Sequence, residues 1–239
     1  MIRSAVLLAA GRGKRQRPYT DVTPKPLLEA HGRPTLDYVL HAVAKAGVER
    51  ICIVTNHLEE KIFDYVGDGA KWGLSASFAH QHELRGNGDA LLSVPKDWLR
   101  NESIMVVATD YILKEDDLVE LAEAHENYRA DITMSLKECP VEELISRSSV
   151  DVDSAWRVKR IIEKPAREQI MSPYAASILF VFPAQIWQYL PQVEPSLRGE
   201  IEMQSAVQRM IEDGYKAYGL LQPAPQEWMP ELMEKAEHS

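Results

Sequence analysis

The chain has 239 residues, 45% hydrophobic and 26% charged, with 27 lysines and arginines against 36 aspartates and glutamates, a formal charge of -9. That composition supports one substantial α/β core or two small ones and excludes disordered, collagenous and coiled-coil chains. The acidic balance argues against a broad surface for nucleic acid or an anionic membrane, and no apolar run approaches the ~20 residues of a membrane helix. Cys52 and Cys139 share no CxxC spacing, which suits a reducing compartment without structural zinc. The apolar stretch ending at Gly11 has no cleavage pattern after it, so the expectation is a cytoplasmic enzyme or binding protein. The charge is uneven: Arg3, Arg12, Lys14, Arg15, Arg17, Lys25 and Arg33 face only Asp21 and Glu29 over the first 35 residues. Such a basic head suits a small polyanion.

In chain order, residues 4–9 (SAVLLA) read as a strand buried on both faces. Leu36, Val39, Leu40, Val43 and Ala44 recur at helical spacing, and Gly47 stands where that helix stops. A strand over 50–55, a helix over 59–66, a strand over 74–78 and a helical segment after Gly88 continue the alternation. Residues 103–108 (SIMVVA) form the next buried strand, followed by Asp110 and a helix over 116–127. The second half changes character, with strands over 130–136, 149–152, 158–162 and 175–182, a turn at Asp153, and helices over 183–190 and 201–212. The predicted fold is α/β and Rossmann-like, a mixed, mostly parallel central sheet with helices on both faces. In such sheets ligands collect at the carboxyl ends of the strands, where Gly11 and Asp110 both fall. A single domain is expected over 1–239, with a nucleotide-binding half to about 135, an acceptor half over about 136–222, and a C-terminal helix over 223–239.

The chemistry concentrates in residues 7–40, LLAAGRGKRQRPYTDVTPKPLLEAHGRPTLDYVL. Gly11 and Gly13 let the chain turn off a strand so that backbone N–H groups approach phosphate oxygens, while Pro24 and Pro26 flank Lys25. A Gly-rich turn before a helix is the bland alternative. The combination resembles the opening signature of the nucleotide-sugar pyrophosphorylases, the sugar-1-phosphate nucleotidylyltransferases, LAAGxGxRxxPxTxxxPKPL. It is neither a Walker loop nor a dinucleotide fingerprint.

The resemblance implies that Leu8, Ala9, Ala10, Gly11 and Gly13 hold the nucleotide, that Arg15 and Lys25 contact phosphates, and that Gln81 reads the base. Gly86-Asn87-Gly88-Asp89-Ala90-Leu91 looks like the family's GTADAL segment, with Asn87 in place of threonine, and Gly86 and Asn87 join the nucleotide site. Asp110 occupies the position of the family's metal-binding aspartate, a hard-oxygen ligand for Mg²⁺, with Thr109 replacing a glycine and crowding the approach. Glu163-Lys164-Pro165 matches the EKP motif, so Glu163 is assigned to sugar hydroxyls and Lys164 to the sugar phosphate. Arg198 to Glu202 resembles RGELEIT and contributes Glu200; the strand around Ser177 resembles YAVTGLYFY, and Ser149 stands where a glycine is usual. Around Trp228 the residues of the family's C-terminal W-x-D-x-GTP segment that include its metal-binding aspartate have no counterpart, so that Glu227 or Glu231 reaches the metal, or the site relies on Asp110 and water, or catalysis is weakened.

The resemblance implies transfer of a nucleoside monophosphate from UTP or dTTP to a sugar-1-phosphate, with Arg15, Lys25, Asp110 and Lys164 catalytic and Mg²⁺ as cofactor. It also allows a homo-oligomer. Cytidylyl or guanylyl transfer to another phosphorylated acceptor, and a catalytically silent nucleotide-binding regulator, remain as alternatives.

Overall fold

Alternation along the first strand sets the architecture. In the computed structural model, which describes residues 2–233, Ala5 and Leu7 enter one core while Val6 enters another on the opposite side of the sheet. The first half contains, in order, β1 (Ser4–Leu8), a short ladder of β2 (Glu29–Ala30) with β3 (Arg33–Pro34), α1 (Thr35–Lys45), β4 (Arg50–Thr55), α2 (Glu59–Val66), β5 (Ser75–His80), α3 (Asn87–Leu92), β6 (Ser103–Ala108), β7 (Tyr111–Ile112) and α4 (Asp117–Asn127). The second contains β8 (Ile132–Glu138), α5 (Val141–Leu144), β9 (Ser148–Val152), β10 (Val158–Glu163), β11 (Tyr174–Pro183), α6 (Ile186–Tyr189), α7 (Met203–Glu212), β12 (Ala217–Leu221) and β13 (Gln226–Glu227).

Seven strands form the central sheet in the order β12-β8-β11-β6-β1-β4-β5, and β11 alone runs against the others. The mixed, mostly parallel α/β sheet expected from the sequence is therefore present. Leu36, Val39, Leu40 and Val43, spaced to share one face of α1, are fully buried on the side of Leu7, Ile53 and Val107. Phe180, Phe182, Met203, Val207 and Met210 fill the opposite side with Val6 and Val106. Each such side chain contributes about 1.5–3 kcal/mol by leaving water, so both faces hold the strand ends in place. Cys52 and Cys139 are both buried free thiols.

Several boundaries move for identifiable reasons. The strand expected over 74–78 runs to His80 because β5 pairs with β4 as far as Thr55 opposite His80. The helix expected over 183–190 begins at Ile186, since Pro183 closes β11 against Ser103. Ile201 and Glu202 precede α7 rather than opening it, because both the N–H and the carbonyl of Ile201 bond to the segment around Gly88. Asp153 makes the expected turn between β9 and β10, its Oδ1 accepting from the Ala155 and Arg157 N–H groups at 3.0 Å each. Over 223–233 the chain forms β13 and a 3₁₀ turn (Pro230–Leu232) in place of the expected helix. Pro223, Pro225 and Pro230 deny that segment a continuous run of backbone donors; residues 234–239 lie outside the described residues.

Candidate active site

The carboxyl ends of β1, β4, β5 and β6 open onto a cavity of about 680 Å³. That volume suits a ligand of nucleotide size. Of the residues singled out in the sequence, Leu8, Ala9, Ala10, Gly11, Gly13, Lys25, Gln81, Gly86, Asn87, Asp110 and Glu200 line it.

The glycine loop leaves β1 at Leu8 and turns through Gly13 at φ +59, where a Cβ would stand 2.7 Å from Thr20 Cγ2. The Thr20 hydroxyl donates to the Gly13 carbonyl at 2.8 Å, folding the basic loop back on itself. Arg12 and Lys14 line the cavity, whereas Arg15 is exposed on the 3₁₀ turn Lys14–Gln16 and is not part of the lining.

Lys25 begins a 3₁₀ turn between two buried prolines. The turn is tied down by Thr35 at the head of α1, whose hydroxyl bridges the Pro26 carbonyl at 3.1 Å and the Thr109 carbonyl at 3.0 Å. Lys25 Nζ donates to Asp110 Oδ2, so the lysine and aspartate meet although 85 residues separate them. Thr109, expected to crowd this point, sends its hydroxyl to the Leu8 carbonyl at 2.8 Å, which ties the end of β6 to the end of β1.

Gln81 follows β5, and its amide nitrogen donates to Asp89 Oδ2 at 2.9 Å and to the Gly86 carbonyl at 3.2 Å. Gly86 and Gly88 admit no side chain: a Cβ would meet the Ile201 carbonyl at 2.7 and 2.8 Å respectively. Asn87 uses both ends of its amide on protein, accepting from the Met203 N–H at 2.8 Å and donating to Gln204 at 3.2 Å. It thereby satisfies a free donor in the first turn of α7. This segment links the two halves.

Beyond β10, Lys164 has φ 46, a left-handed backbone costly for a side chain. Its Nζ donates to Glu200 at 3.1 Å, and Arg198 Nε reaches the same oxygen at 3.1 Å. Glu163 lies beside Glu202, Lys164, Arg198 and Glu200; burial, reinforced by the Glu202 charge, pushes its carboxyl up to about 7. The folded state therefore holds the Glu163 proton more tightly than the unfolded chain does. Stability from this group is complete below the usual value of 4.5 and is lost as pH rises through about 7. Glu163→Gln should match the wild type in urea unfolding below pH 4.5 and exceed it by ~3 kcal/mol above pH 7. A difference independent of pH would contradict this account.

Ser177 is buried, and its hydroxyl has no hydrogen-bond partner among the described residues. Ser149 is buried on β9 and faces a separate small crevice with Asp151, Arg160, Ile162, Gln169 and Met171, outside the main cavity. Glu163, Lys164 and Ser177 are likewise absent from the main lining. Of the two carboxylates considered for the missing terminal aspartate, Glu227 pairs across from Tyr111 and accepts from Arg147 at 3.1 Å, while Glu231 is exposed on the terminal turn. Neither lines the cavity, and among the described residues no cluster of three His, Cys, Asp or Glu side chains could hold a metal. Asn56 and His82 line the cavity without having been singled out. Asn56 directly follows β4, so the strand-end rule that drew attention to Gly11 and Asp110 applies to it equally.

This fold is the α/β nucleotidyltransferase fold: a structure of UDP-glucose pyrophosphorylase complexed with UDP-glucose superposes with a TM-score of 0.84 at 21% identity, covering 95% of this chain and 93% of that one. The model of the Nucleotidyl transferase family matches residues 4–229. The low-salt glycan biosynthesis nucleotidyltransferase of Haloferax volcanii is 32% identical over 211 residues, 88% of this chain and 57% of that protein. The UTP–glucose-1-phosphate uridylyltransferase of the same organism is 31% identical over 211 residues, 88% of this chain and 84% of that protein. The chain belongs to the nucleotidyl transferase family, among the sugar-1-phosphate nucleotidyltransferases. Among the described residues no helix is long and apolar enough to cross a membrane.

Proposed function

We propose that the protein transfers the nucleoside monophosphate of UTP or dTTP to a sugar-1-phosphate, releasing pyrophosphate. The observation that carries this reading is the meeting of Lys25 and Asp110 in the cavity beside the glycine loop. The attacking phosphate oxygen arrives as an anion, so no general base is needed. Catalysis reduces to aligning two mutually repelling anions and neutralising charge on the leaving pyrophosphate.

The glycine loop and the cations of Arg12, Lys14 and Arg15 hold the triphosphate. Lys25 turns from Asp110 towards the reacting phosphate, and Lys164 leaves Glu200 for the phosphate of the sugar. Glu163, Glu200, Ser149 and Ser177 belong to the acceptor side. Asp110 suits Mg²⁺, which commonly takes one or two protein carboxylates and completes its shell with water and substrate phosphates. The ion, when bound, neutralises phosphate charge. The division into a nucleotide half to about residue 135 and an acceptor half over about 136–222 follows the same assignment. The basic loop and acidic exterior fit a cytoplasmic enzyme using soluble phosphorylated substrates, and a homo-oligomer is compatible with it.

Pyrophosphate release with Mg²⁺, measured for each common nucleoside triphosphate against a panel of sugar-1-phosphates, tests the proposal. Release that depends on one acceptor supports it and names the substrates. Nucleotide binding with no release for any acceptor would favour the silent-regulator reading, to which the engagement of Glu227 by Arg147 lends its one specific observation.

A further inference from the structure

Base recognition depends on which end of the Gln81 amide meets the ligand. Gln81 is 3% exposed, lines the cavity, and spends both hydrogens of Nε2 on Asp89 Oδ2 and the Gly86 carbonyl. Both partners accept hydrogen bonds and cannot donate them, so the nitrogen must face them. Asp89 is itself 6% exposed, and its other oxygen accepts from Arg85 Nη2 at 2.8 Å and Nε at 3.2 Å. Turning the Gln81 amide over would set its oxygen against Asp89 Oδ2 and the Gly86 carbonyl oxygen. Oε1 has no protein partner among the described residues, yet it is not one of the polar atoms sealed from solvent. It is the polar end of Gln81 left for a ligand.

We infer that Asp89 is a positioning residue for base selection: it locks Gln81 so that a hydrogen-bond acceptor faces the nucleobase, which favours a base that answers with a ring N–H. The inference rests on the proposed nucleotide site. Uracil and thymine present such an N–H at N3 and guanine at N1, whereas cytosine N3 and adenine N1 are bare acceptors whose donor on that edge is the neighbouring exocyclic amino group, displaced from the ring position. An acceptor facing an acceptor forfeits a hydrogen bond and leaves a polar atom unsatisfied, a cost that translates to about 10- to 100-fold in affinity. Arg85 is half exposed and reaches only the far oxygen of Asp89, so it supports the carboxylate without setting the amide.

Calorimetric titration of the full chain with UTP, dTTP, GTP, CTP and ATP in Mg²⁺, without any sugar phosphate, tests this independently of turnover. The wild type should bind UTP at least 10-fold more tightly than CTP, and GTP more tightly than ATP. Asp89→Asn has nearly the same shape, but its amide can present either oxygen or nitrogen to Gln81; its UTP-to-CTP ratio should fall to about 3-fold or less. Arg85→Gln keeps the carboxylate and should retain the wild-type ratio. Equal wild-type affinity for UTP and CTP would overturn the inference even if Asp89→Asn failed to fold. An unchanged ratio in Asp89→Asn, or the same collapse in Arg85→Gln, would overturn it too. Failure of every nucleotide to support pyrophosphate release, with the binding order intact, would instead count against the proposed reaction alone.

Discussion

Replacing Asp110 with alanine lowers pyrophosphate release by about 10³-fold or more while the protein still binds nucleoside triphosphate. Among the described residues two acidic side chains line the cavity: Glu200, held by two cations, Lys164 and Arg198, and Asp110, held by Lys25 alone. Asp110 is the carboxylate proposed to anchor the metal once Lys25 turns to the substrate, and its loss removes that anchor. Several kcal/mol of transition-state stabilisation rest on such a site, and about 4 kcal/mol corresponds to 10³ in rate. The same change releases Lys25 from its ion pair. Triphosphate affinity in the presence of a chelator should consequently equal or exceed that of the wild type. Retention of more than a tenth of the wild-type turnover would remove Asp110 from the catalytic assignment.

Lys164→Ala should separate the two substrates. In the absence of substrate the lysine neutralises Glu200 at 3.1 Å, and the left-handed backbone at this position fixes where the side chain departs from the sheet. A charge-assisted hydrogen bond to phosphate is worth about 1.5–3 kcal/mol. The KM for the sugar phosphate should then rise about 10- to 100-fold. Affinity for the nucleoside triphosphate, measured by calorimetry, should change less than about 3-fold, because Lys164 lies outside the residues lining the main cavity, where the nucleotide is proposed to bind. Comparable losses for both substrates would show that the lysine serves the whole site rather than the acceptor.

The first half of the molecule was legible because its signals are local. An unbroken apolar strand, a helix with Leu36, Val39, Leu40 and Val43 on one face, and glycines at a strand end each fix backbone geometry within a few residues. The parallel sheet and the location of the cavity follow from these. The second half was harder to delimit because prolines and long-range bonds set its boundaries. Nothing near Ile201 announces that its carbonyl will pack where Gly86 and Gly88 have no side chain. The C-terminal segment yielded to three prolines and the pairing of β13 with β7. Asn56 and His82 were missed for a different reason, since neither belongs to the motifs on which the resemblance rests.

By itself the sequence determined the fold class, the strand ends at which the cavity opens, and many of the residues that line it, because periodicity and turn chemistry are properties of short stretches. Only the tertiary structure decided what those residues do to one another. Lys25 neutralises Asp110 across 85 residues, Glu200 draws Lys164, and the buried Asp89 dictates which end of Gln81 is free. Such pairings depend on burial and on distances of about 3 Å between groups far apart in the chain. A carboxylate or amide acquires its orientation and its chemistry from the neighbours that folding brings to it.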